Sequence, residues 1–64
     1  MKLNRKKIFT IMGARQKNMT QLQKETGISF SSLRYAVHGI SNTRPETAEK
    51  IARALDVDLE EIIA

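Results

Sequence analysis

Between Gly27 and Gly39 the chain carries Phe30, Ser31, Arg34 and Tyr35. At about 100° per helical residue these four side chains fall within about 140° of one another. A guanidinium, a hydroxyl, a phenol and an apolar ring on one strip are poorly suited to packing, and if exposed they suit reading a polar, negatively charged partner. The bland readings are a core aromatic for Phe30, a solvated charge for Arg34, and for Tyr35 a ring laid over the following loop. Nothing else in the chain offers reactive chemistry. Ser29, Ser31, Ser32 and Ser41 lack a histidine and an acid at nucleophile spacing, and there is no glycine-rich phosphate loop. His38 has no second ligand at metal spacing and reads as a helix C-terminal residue favoured by the dipole. No catalytic residue, metal or cofactor is expected.

The strip needs a helix to present it, and the local sequence specifies both ends of one. Ser29 can accept an amide hydrogen left unpaired by the first turn, and Gly39 can take the left-handed conformation that stops a helix. Leu33 and Ala36 fall on the other side, so the predicted helix over 29–38 has one face for a core and one for a partner.

Size and charge narrow the partner. A chain of 64 residues makes one domain whose core buries only about 60% of what the unfolded chain exposes, which leaves no room for a deep active site. No cysteine is present to form disulfides or thiolate metal sites. No apolar run approaches the 18 or so residues of a membrane span, and the basic start lacks a signal-peptide h-region, so a soluble, cytoplasmic protein is expected. The net charge of +4 is divided: residues 1–45 hold nine Lys/Arg against Glu25, or +8, and residues 46–64 hold Lys50 and Arg53 against six acids, or −4. A basic part containing the short helix and an acidic remainder fit a polyanion binder with one functional side, against the alternative of an ordinary solvated surface.

The remaining elements are those such a helix would pack on. Residues 4–15 place Ile8, Ile11 and Met12 on one helical stripe, widened by Phe9, with Asn4 as N-cap, Arg5, Lys6 and Arg15 opposite, and Gly13 weakening the end. A second helix precedes Gly27; Asn18-x-x-Gln21 and Thr20-x-x-Gln23 both fit a capping box, and Asn18 is preferred. Leu22 faces inward, Ile28 fills the corner after Gly27, and the pair of helices forms a helix-turn-helix. The run 40–44 reads as a loop. Pro45 fits the first turn of a fourth helix, Thr43-x-x-Glu46 suggests its capping box, and Ala48, Ile51, Ala52 and Leu55 form its stripe. Asp58-x-x-Glu61 caps a predicted fifth, short helix carrying Leu59, Ile62 and Ile63.

Laid end to end, these features resemble the Cro and repressor helix-turn-helix family of bacteria and their phages, often called Xre-like. The resemblance rests on Leu22, Gly27, Ile28, Ser29, Leu33 through Gly39, Arg44-Pro45, Ile51 to Leu55, and Val57 to Ile63. It implies an all-α, compact, five-helix lambda-repressor-like domain over 1–64 that acts as a sequence-specific double-stranded DNA-binding transcriptional regulator. Helix 29–38 would lie in the major groove, with Phe30, Ser31, Arg34 and Tyr35 at base edges. Phosphate contacts are implied for Asn18, Thr20, Gln21 and Ser29 at helix N-termini, and for Asn42, Thr43 and Arg44 in the loop. A homodimer on a palindromic operator is expected, with dimer contacts around Leu59, Ile62 and Ile63. The rival reading is a protein-interaction or antitoxin-like module in which Phe30 and Tyr35 meet a protein.

Four positions depart from the family pattern. Met19 stands where a glutamine is frequent, which removes a donor from the second helix. Gln23 replaces a small alanine, so that the two helices pack more loosely or the side chain bends to solvent. Met12 and Val37 replace an arginine and an acid, and an apolar pair in contact there would substitute for a buried ion pair.

Overall fold

The computed structural model describes residues 1–40 and 42–64, so Ser41 lies outside the described residues. The chain forms α1 over Arg5–Arg15, α2 over Met19–Thr26, α3 over Phe30–Val37 and α4 over Pro45–Ala54. The expected fifth helix is a single 3-10 turn, Leu59–Glu61. Asp58 and Glu61 do interact as expected, the Asp58 N–H donating to Glu61 Oε2 at 3.0 Å. Only two residues later, however, the backbone leaves the helical region to pair elsewhere: Ile63 forms an antiparallel bridge with Leu3. A fifth helix cannot grow through residues whose amides and carbonyls serve another segment.

Local capping sets most boundaries. Asn4 Oδ1 accepts from the Lys7 N–H at 3.0 Å and starts α1. α1 ends at Gln16, which adopts a left-handed φ of 56° while the Lys17 N–H closes onto the Met12 carbonyl. Gly13 is inside the helix and does not end it. Asn18 starts α2 with a complete capping box: Asn18 Oδ1 accepts from the Gln21 N–H, and Gln21 Oε1 accepts from the Asn18 N–H, both at 2.9 Å. Gly27, at φ 72°, closes α2 in the left-handed conformation.

The N-terminus of α4 is built differently from expectation. The N-cap is Arg44, with Pro45 as the first helical residue and no side-chain cap bond. Proline lacks the N–H that the first position of a helix leaves unpaired, so it defines the start by its own fixed φ. The Thr43–Glu46 capping box therefore does not form.

The core is one cluster. Leu3, Ile8, Met12, Leu22, Leu33, Val37, Ile51, Leu55 and Ile62 are buried in it with alanines 36, 48, 52 and 54, and Ile11, Met19, Ile28, Val57 and Leu59 pack against it. Met12 and Val37 both belong to this core, where two unlike charges would have been desolvated. The inward stripe expected of α4 is buried at every position, Ala48, Ile51, Ala52 and Leu55. Ile62 is wholly buried within its own chain. That corrects its assignment to a dimer surface, since a side chain inside the core cannot also meet a second copy; Leu59 and Ile63 stay half-buried.

Candidate nucleic-acid interface

The helix α3 separates its two faces as its periodicity requires. Leu33, Ala36 and Val37 point into the core, whereas Ser31, Ser32 and Arg34 are exposed. Phe30 is 47% exposed and Tyr35 53%, so neither is a core aromatic. A half-exposed aromatic ring has an energetic reason to meet a partner, because burying it on binding removes apolar area from water. Among the described residues Arg34 forms no ion pair, and its guanidinium is available to an acceptor outside the chain.

The entry to α3 is polar and open. Ser29 Oγ accepts from the Ser32 N–H at 3.4 Å and donates to Ser32 Oγ at 3.0 Å. The first bond is long, so the hydroxyl pair is loosely held and can be redirected toward an incoming anion. The angle between α2 and α3 is held from within. Gly27 forms the corner, Thr26 Oγ1 donates to the Leu22 carbonyl at 2.6 Å and accepts from the Ile28 N–H at 3.2 Å. Ile28 packs against the core.

At the start of α2, Asn18, Thr20 and Gln21 line the polar surface, and all three are exposed. The capping box occupies one oxygen each of Asn18 and Gln21, which leaves the amide donors of both side chains for other partners. Met19 instead packs against the core. The helix starts at Met19, so Gln21 is in its first turn and engaged in capping. Gln23 is half-buried.

Beyond α3, an open groove of about 290 Å³ is lined by Ser32, Tyr35, Ala36, Asn42, Thr43, Arg44 and Thr47. It joins the α3 strip to the loop, so that Tyr35 borders Asn42 and Arg44 across one depression. Arg44 and Asn42 are exposed, and among the described residues Arg44 has no ion-pair partner. Thr43 departs from expectation. It is only 6% exposed, its hydroxyl is buried without a protein partner among the described residues, and its N–H donates to the Met1 carbonyl at 2.6 Å. Its donors are thus not presented as a surface phosphate contact would need. Thr43→Val, which keeps the shape and removes an unpaired buried hydroxyl, is expected to raise stability by about 1 kcal/mol and the melting temperature by about 4 to 8 °C. Duplex affinity should be unaltered; a fall would show that the hydroxyl reaches phosphate after all.

Several cations of the basic half turn out to be structural. Lys17 Nζ pairs with Glu25 Oε1 at 2.6 Å and also donates to the Ala54 carbonyl at the end of α4. Arg15 donates to the Asp56 carbonyl at 3.2 Å. The bonds to Ala54 and Asp56 join residues far apart in the chain, and composition carries no signal of that. His38 caps α3 as expected, and its ring lies 5.4 Å from that of Phe9, whose face is covered by the Arg5 guanidinium at 5.8 Å. No helix among the described residues is long and apolar enough to cross a membrane.

Among curated proteins and solved structures none matches the chain significantly. The family model described as helix-turn-helix does match, over residues 11–62, which takes in α2, the Gly27 corner, α3 and α4. The chain therefore belongs to the Cro/C1-type, Xre-like helix-turn-helix family of DNA-binding regulators.

Proposed function

We propose that the protein is a sequence-specific double-stranded DNA-binding transcriptional regulator of repressor or Cro type, with α3 as its recognition helix in the major groove. The observation that carries this reading is the exposed strip of Phe30, Ser31, Arg34 and Tyr35 on a helix whose other face is core. Arg34 is suited to donate to guanine O6 and N7, and Phe30 to meet thymine methyl groups. The polar side chains of Asn18, Thr20 and Gln21, the Ser29 entry to α3, and Asn42 with Arg44 beyond the groove supply phosphate contacts on either side of that strip. Affinity comes chiefly from charge neutralisation and specificity from the strip. One module of this size covers too little DNA for tight specific binding, so a homodimer on a palindromic operator, with half-sites about one helical turn apart, is the active form.

Selection of bound duplexes from a random pool, followed by titration against salt, tests the reading. An enriched motif and a steep fall of log affinity with log salt are expected. No motif and a flat salt response would favour a protein partner for Phe30 and Tyr35. Within the DNA reading, Arg44→Ala should weaken all duplexes alike and make the salt slope shallower by about 0.9, the contribution of one phosphate. A change in the selected motif would instead place Arg44 at a base.

A further inference from the structure

Among the described residues, the loop that carries Asn42 and Arg44 has few anchors of its own. The N-cap of α4 makes no side-chain bond, and the Thr43 hydroxyl finds no protein partner among the described residues. What holds this loop is the start of the chain. The Thr43 N–H donates to the Met1 carbonyl at 2.6 Å, and the Met1 nitrogen donates to the Thr43 carbonyl at 3.0 Å. The segment from Met1 is in turn fixed on its far side, where the Asn4 N–H donates to the Ile62 carbonyl at 2.7 Å and the Ala64 N–H to the Lys2 carbonyl at 3.0 Å. Leu3 is buried in the core between these bonds, and its carbonyl lies where a Cβ on Gly39 would come within 3.0 Å. The first four residues thus run between the end of α3, the loop and the C-terminal segment. They also precede the part of the chain that matches the family, residues 11–62.

We propose that Met1–Asn4 is a positioning strap for DNA binding: it fixes the loop so that Asn42 and Arg44 meet phosphate already ordered, while base readout is left to α3. The inference rests on the DNA-binding reading above. Each loop residue ordered before the encounter is one whose lost freedom does not oppose binding. The α3 strip is held separately, by Leu33, Ala36 and Val37 in the core. Loosening the strap therefore weakens phosphate binding on every sequence and leaves the motif unchanged.

The 64-residue chain is short enough for chemical synthesis, and replacing the Asn42–Thr43 amide by an ester deletes the Thr43 N–H while keeping every side chain; the Asn42 carbonyl that it weakens accepts no backbone bond among the described residues. The ester chain is expected to bind all duplexes roughly three- to tenfold more weakly, as for the loss of one backbone hydrogen bond. The salt slope should become shallower by up to about 0.9 for each phosphate no longer engaged, the selected motif should be the same, and amide exchange at Asn4, whose N–H bonds the strap to Ile62, should be faster. A matched pair of genetic variants gives a second route. Gly39→Ala puts a side chain on a left-handed residue, at φ 67°, against the Leu3 carbonyl of the strap, whereas Leu55→Ala lowers stability from within the core. Gly39→Ala should lower the salt slope and Leu55→Ala, measured where it is folded, should not; this comparison decides if the ester chain fails to fold. A parent chain that binds no duplex overturns the DNA reading and the strap's role with it. A parent that binds normally, with ester and Gly39→Ala chains of unaltered slope, overturns the strap alone.

Discussion

Leu33→Ala is expected to lower the unfolding free energy by about 3 kcal/mol, within the range of about 2 to 5 kcal/mol for truncating a fully buried leucine. Leu33 has no exposed surface and sits midway along α3, on the face opposite the strip. The loss combines the transfer free energy of the removed methyl groups with a cavity that neighbouring helices fill only in part. A small domain has about 5 kcal/mol or somewhat more in total, so one such change removes a large share. Thermal unfolding followed by circular dichroism should show a fall of about 4 to 8 °C for each kcal/mol. Duplex binding would fail at temperatures where the parent still binds, with no change in which sequence is preferred at lower temperature. A melting temperature within a few degrees of the parent's would mean that α3 is not held by this residue.

Arg34→Ala, at the next position, should do the reverse. Arg34 is exposed and, among the described residues, makes no ion pair, so its removal should leave the melting temperature nearly unchanged. If the guanidinium donates to a guanine, its loss should reduce discrimination at that base pair by about 1 to 3 kcal/mol, roughly five- to 150-fold. Competition between the selected duplex and single-base variants measures this directly. The affected position should be one base pair, because a bidentate donor reaches one guanine edge. Equal loss on every duplex would place Arg34 on the backbone and shift the burden of specificity to Phe30, Ser31 and Tyr35. Together the neighbouring substitutions separate the two faces of one helix: the first changes stability and the second changes preference.

Much of this arrangement is legible from short-range rules. Asn4, Asn18, Ser29 and Gly27 act within a few residues of themselves, and their caps and corners occur where spacing places them. The exposed strip of α3 follows from helical period alone, as does the buried stripe of α4. The misjudged positions are those where a local pattern competes with a distant partner. Thr43 matches a capping box with Glu46 but is drawn inward by pairing with Met1. Asp58 to Ile63 matches a short helix but yields a single turn, because Leu3 pairs with Ile63.

Residue order alone thus dictates the four main helices, most of their ends and the two-sided character of α3. These depend on hydrogen bonds and side-chain periods that span three or four residues, which neighbouring letters state directly. It takes packing in three dimensions to put Ile62 in the core, to tie Lys17 to both Glu25 and the end of α4, and to bring the chain's first residues against the loop bearing Arg44. Each of those depends on which distant backbone groups and cavities come within a few ångströms once the helices meet, and a carbonyl or an isoleucine looks the same in the sequence whether or not that happens.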